Sequence, residues 1–271
     1  MQGVFPYIVA TLKCGFRLRS LRAVIVVAVL LAMGSWMAAE FSPRAPATVS
    51  LDTGISLIRF VLVILALLWA QEYFAKDIER RAIYSLLSQP VSRSAYLLGR
   101  FLGVLLLLGG ALLIYGAVLA LVVQGELMHY GGQRPPAIGI PYLVTLLGIY
   151  IDLVVVLAFA WLITSLSVTP LLPFSLGLIF AWSAHTLGPV LNYLAGHSSE
   201  AERLAPTFQP ILDLVRWLIP DLSQLDVRHL ALYDLPISDA PNFVFALLLA
   251  LTYSLLLLSL AGWAMERREF D

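Results

Sequence analysis

Charge is what this 271-residue chain has least of: Asp, Glu, Lys and Arg together make up 13% of it, against 60% hydrophobic residues. A soluble domain needs far more polar surface to cover itself, so the composition excludes one and points to a membrane-embedded chain. Lysine is confined to Lys13 and Lys76, and the Gly-x-x-x-x-Gly-Lys-Ser/Thr phosphate loop is missing, which excludes ATP hydrolysis by this polypeptide itself. Cys14 is the only cysteine, so neither an internal disulfide nor a cysteine metal cluster is available. The 17 basic and 17 acidic residues cancel, and no overall field suggests nucleic acid as a partner. His-Glu-x-x-His and Gly-x-Ser-x-Gly are absent too. Ser183 and His185, two residues apart, point to different sides of a helix and make a poor dyad, which disfavours an intramembrane hydrolase.

What is present is a series of long apolar runs. They predict an all-α integral membrane protein, one transmembrane domain over residues 1–271, with spans at 21–39, 55–71, 96–123, 142–165, 170–194 and 243–265. Met1 to Ser20 sets Phe5, Ile8, Leu12 and Phe16 against Lys13 and Arg17, the pattern of a helix lying in the membrane interface. A basic start followed by an apolar run and Met37-Ala38-Ala39 also imitates a signal peptide, but the run is longer than a signal core. Residues 40–54 and 124–139 read as polar loops. Within the second, Glu126 and His129 have metal-pair spacing without a third ligand and are expected to be solvated. Residues 195–242 form an extracytoplasmic segment, too apolar for a linker, in which Phe208 to Leu218 predicts an amphipathic helix on the outer surface.

Polar residues inside the spans are candidates for a pathway. Asp152 is the one acid of the fourth span and needs a partner, water or a proton; a structural carboxylate bonded to a neighbouring helix is the alternative. Arg59, towards the outer end of the second span, is expected to snorkel to the interface. The fifth span carries Pro173, Gly177, Gly188 and Pro189, helix breakers that suit a cavity wall, while Ser183 and His185 form either a conduit lining or an interfacial belt. Gly99 and Gly103, four apart, predict close helix approach.

The longest charged interruption is EYFAKDIERRAIYSLLSQPVSRSAYLLGRFLG, residues 72–103. Phe74, Ile78, Ala82 and Leu86 form an apolar stripe widened by Ile83 and Leu87, and Glu72 with Lys76 and Asp77 with Arg81 are supportive i,i+4 pairs. Pro90 stops this helix. Such a helix either lies in lipid or fits a partner's groove. With the amino terminus inside, Lys13, Arg17, Arg19, Arg22, Lys76, Arg80, Arg81, Arg93, Arg100, Arg267 and Arg268 fall on the cytoplasmic side, and both termini and this loop are expected there.

The run Ser88-Gln89-Pro90-Val91-Ser92-Arg93 followed by Gly99-Arg100-Phe101-Leu102-Gly103 resembles the cytoplasmic loop of bacterial ABC-2 type transporter permeases. That resemblance implies that the helix between spans two and three is a coupling helix, seated in a separate ATPase subunit that binds ATP and Mg, with no cofactor on this chain. It implies docking candidates Phe74, Asp77, Ile78, Glu79, Arg80, Arg81, Ile83, Leu86, Leu87, Pro90 and Arg93, although Arg80-Arg81 depart from the small residue and Gly-Thr common in the family. It further implies pairing with a second copy or a paralogous permease in the bacterial inner membrane, with export as the activity. An ATPase-coupled scaffold for envelope assembly, without transport, fits the same residues.

Overall fold

The computed structural model describes residues 4–15, 18–42, 44–75, 93–130, 135–167, 169, 171–195 and 220–267. These comprise α1 (Phe5–Gly15), α2 (Leu18–Glu40), α3 (Pro46–Ala70), α4 (Arg93–Tyr130), α5 (Ile140–Leu166), α6 (Leu171–Ala195), the one-turn α7 (Arg228–Leu232) and α8 (Phe243–Arg267), with no strand among them. Six helices, α2 to α6 and α8, are long and apolar enough to cross a membrane. The chain is therefore a multi-pass membrane protein. Successive spans alternate in direction, giving a proximal end, where α2 begins and α8 finishes, and a distal end opposite.

α5 is the axis of the bundle. It is apolar on every face, the pattern of a helix enclosed by others, and it packs against α3, α4, α6 and α8. Leu153, Val155, Val156, Leu157, Ala158 and Trp161 have no exposed surface. Aromatic stacking joins it to its neighbours: Phe159 on Phe180 of α6 with ring centroids 4.1 Å apart, and Trp161 on Phe74 with centroids 5.0 Å apart.

Helix ends differ from those the sequence suggested. α3 starts at Pro46, nine residues earlier than expected, because a proline without an N–H fits a first turn whose donors are unsatisfied anyway. Residues 46–54 are thus helix rather than loop, and Ser50 is tied to α2 by Ser35, whose Oγ donates to the Ser50 carbonyl at 2.6 Å. α4 runs on to Tyr130, so Glu126 and His129 lie on a helix and Glu126 is buried, contrary to the solvated loop expected. Pro173 occupies the first turn of α6, where it breaks nothing; Pro189 is the proline inside that helix.

α1 lies along α4. A Cβ on Gly99 would come within 2.7 Å of Tyr7 Cβ, and one on Gly103 within 2.6 Å of Thr11 Cβ, so the two glycines are the seat of α1. Close approach there follows the four-residue spacing.

Residues 220–242 differ most from expectation. Leu222, Leu225, Val227, Leu230 and Ala231 are all buried, in a short 3-10 helix (Leu222–Leu225) and α7, both folded into the distal end of the bundle. Irregular backbone buried against the spans needs protein partners for its polar groups. Here Asp221 Oδ1 accepts from the Ser223 N–H at 3.1 Å, Thr145 Oγ1 donates to the Val227 carbonyl at 3.4 Å, and the Ala137 N–H donates to the Ala231 carbonyl at 2.8 Å. The expected amphipathic helix at Phe208 to Leu218 lies outside the described residues.

Candidate functional site

Asp152 sits twelve residues into α5, about 18 Å from its distal start, and is 1% exposed. A carboxylate at such a depth requires compensation. Among the described residues two charged or titratable neighbours approach it: His185 Nε2 of α6 at 3.1 Å and Arg59 Nε of α3 at 4.0 Å, both from Oδ2. Neither approach is aligned as a hydrogen bond, so Asp152 Oδ2, His185 Nε2 and Arg59 Nε are buried polar atoms close together without a directed bond, and Asp152 Oδ1 is buried without one as well. His185 Nδ1 lies 2.9 Å from the Ala181 carbonyl, one helical turn back.

Arg59 is held from the other side. Its Nη1 donates to Asp226 Oδ2 at 2.6 Å, and Asp226 also accepts from Arg228 Nε at 3.0 Å on Oδ1 and 2.9 Å on Oδ2. Arg228 Nη1 reaches back to α3, donating to Asp52 Oδ1 at 3.0 Å and Ser56 Oγ at 2.7 Å. The result is a continuous chain of ionic contacts from Asp52 through Arg228, Asp226 and Arg59 to Asp152 and His185. It ties together α3, α5, α6 and the 220–232 segment.

The expected snorkelling of Arg59 is therefore corrected. Its side chain turns inward because Asp226, delivered by the folded-in segment, supplies a charge-assisted bond that replaces lost hydration. Asp152, Arg59 and His185, read separately from the sequence, meet at one place. Ser183 is half-buried two residues before His185, on another side of α6, and Pro173 lies at the proximal start of that helix. Asp52, Asp226 and Arg228 were missed. The available signal was an acid and a base two residues apart, Asp226 and Arg228, interleaved with Leu222, Leu225, Val227 and Leu230.

Asp226 lies outside the spans and its electrostatics are decisive. Burial pushes its carboxyl towards neutrality, but the Arg228 hydrogen bond and the nearby Arg59 charge outweigh that and bring it from 3.8 down to about 2. A depressed carboxylate contributes stability that is present above its unfolded value and lost as pH falls through its folded value. The stability difference between wild type and Asp226→Asn should narrow by about 2 kcal/mol on acidification from about pH 5 to about pH 2. Chemical denaturation in detergent at stepped pH measures it; a gap independent of pH refutes the assignment.

A groove of about 330 Å³ runs between α3 and α6 beside the cluster, with Ser56, Arg59, His185, Thr186 and Arg228 as its polar wall and exposed Phe60 and Trp182 at its rim.

At the proximal end, Phe74 is fully buried against Trp161 and so cannot belong to a docking surface, correcting its place among those candidates. It sits in a π-helical continuation of α3, Gln71–Ala75, whose wider turn re-aims the ring inward. Arg93 Nη1 donates to the Met265 and Glu266 carbonyls at 3.0 and 3.2 Å, fastening the start of α4 to the end of α8. Asp77, Ile78, Glu79, Arg80, Arg81, Ile83, Leu86, Leu87 and Pro90 lie outside the described residues.

Six spans around a buried ionic core define a polytopic membrane protein. A family model described as ABC-2 family transporter protein matches residues 17–268. The chain belongs to that family. No curated protein matches it.

Proposed function

We propose that the chain is the permease subunit of an ATP-binding cassette exporter, working with a separate ATPase subunit and a second permease, itself or a paralogue, in the bacterial inner membrane. The family match over nearly the whole chain carries this reading. The proximal end then faces the cytoplasm with both termini, as the distribution of arginine and lysine favours. ATP and Mg belong to the partner; this polypeptide needs no cofactor of its own.

Coupling in this reading runs through residues 76–92. Of the residues that flank this segment in the chain, Phe74 is stacked on the central helix and Arg93 is bonded to the end of α8. The flanking residues are thus anchored in packed structure, so a push transmitted to them is delivered to α3, α4, α5 and α8. Its apolar residues Ile83 and Leu86 are the proposed contacts with the ATPase.

Ile83→Asp and Leu86→Asp should each abolish co-purification of the ATPase while the permease remains inserted in the membrane. Retention of the ATPase by both variants would remove the docking assignment.

A further inference from the structure

Asp152 is 1% exposed, and the described groups beside it are one imidazole and, at 4.0 Å, an Arg59 whose guanidinium is already bonded to Asp226. A buried carboxylate compensated so incompletely is costly when ionised, and the usual remedy is a proton. The geometry at His185 points to one as well. A carbonyl oxygen only accepts, so the 2.9 Å contact with Ala181 places a hydrogen on Nδ1. Neutral imidazole with that tautomer presents a bare lone pair at Nε2, which would stand 3.1 Å from an ionised Asp152 oxygen.

We infer that Asp152 and His185 share one dissociable proton and that the pair is a proton-binding site linking α5 to α6. The proton resides on Nε2, as imidazolium against carboxylate, or on Oδ2, as a neutral acid against neutral imidazole. Either arrangement compensates the buried Asp152 charge. Release leaves two electron-rich atoms 3.1 Å apart beside a buried, ionised Asp152, so α6 is then repelled from α5 at this point.

The surroundings leave these two groups as the place where a proton is held. From α3 only Arg59 faces Asp152, and from the 220–232 segment Asp226 and Arg228 approach through Arg59, already paired with each other. α4 has no ionisable side chain between Arg100 and Tyr115, α5 itself adds Tyr142 and Tyr150, and α8 has only Tyr253 before Glu266. Asp152 is sealed, whereas the His185 side chain is 23% exposed and lines the α3–α6 groove, making the imidazole the point of entry. Pro189, lacking an N–H, cannot close the helical bond to the His185 carbonyl, which eases local movement of α6 at the same turn. This inference concerns the chain alone and does not depend on the permease reading.

The test is nitrogen NMR of the full chain, labelled with 15N-histidine, in lipid nanodiscs from about pH 5 to about pH 10. The variant His185→Gln identifies the resonance. The expected result is one protonation step at His185 whose midpoint falls by at least about one pH unit, a tenfold loss of proton affinity, in Asp152→Asn. A midpoint unchanged in Asp152→Asn overturns the proposal, as does a wild-type His185 that stays neutral beside an ionised Asp152 over the whole range. Should Asp152→Asn not fold, the infrared carboxyl band of Asp152 is followed in wild type and His185→Gln instead. A protonation midpoint that moves on removing the imidazole supports the shared proton, and one that does not move refutes it.

Discussion

Arg59→Leu is expected to destabilise the protein by about 3–5 kcal/mol, the range for removing one partner of a buried ion pair. Arg59 is 9% exposed and stands between Asp226 and Asp152, so its loss strips both carboxylates of a neighbouring cation at once. The leucine fills most of the space but offers no donor to Asp226 Oδ2. Arg228 remains on Asp226, so that carboxylate keeps partial compensation, while Asp152 is left with His185 alone. The combination with Asp226→Leu separates charge from packing. If the cost of Arg59→Leu is the orphaned carboxylate, the double variant should be less damaging than the sum of the single ones by on the order of 2 kcal/mol. Unfolding in mixed micelles of the wild type, both single variants and the double provides the cycle. Strict additivity would show that the cluster does not act as a unit.

Gly148→Leu is expected to unseat the whole 220–232 segment. A Cβ at Gly148 would lie 2.4 Å from the Leu225 carbonyl oxygen, which is backbone and cannot rotate away. A carbon and a carbonyl oxygen need about 3.3 Å or more, so the segment must retreat by about 1 Å for the Cβ alone and further for the remaining side chain. Asp226 follows Leu225 directly, and a retreat draws it out of its 2.6 Å bond with Arg59. The readout is a cysteine placed at Leu230, which has no exposed surface, in a chain carrying Cys14→Ala. A membrane-impermeant maleimide should leave Leu230→Cys unmodified when Gly148 is present and label it in the Gly148→Leu background. Gly110→Ala is the control, since nothing lies within 4 Å of the Cβ it would add. Equal protection in both backgrounds would mean that the segment does not depend on that contact.

The number and order of spans were legible because hydropathy is a local property: about 20 apolar residues suffice to identify a crossing wherever it sits in the chain. The Gly99 and Gly103 pair was legible for a similar reason, since residues four apart share one helix face whatever packs on it. Helix ends were less so. Pro46 reads equally as a loop residue and as the first residue of a helix, and the choice depends on Ser35 bonding Ser50 across α2 and α3. Glu126 read as solvated because a carboxylate is ordinarily so, and only the packing around the distal end of α4 covers it.

Composition and periodicity alone determined that this chain lives in a membrane, that six of its helices cross it, and that Asp152, Arg59 and His185 are polar groups within those spans. Which of those residues compensate one another was decided by tertiary structure. Arg59 and Asp226 are 167 residues apart in the chain yet 2.6 Å apart in space. No local pattern encodes such a pairing, because the free energy of a buried charge is set by whatever the fold brings to it. The same reason turns a segment that reads as surface, residues 220–232, into the wedge that holds the core together.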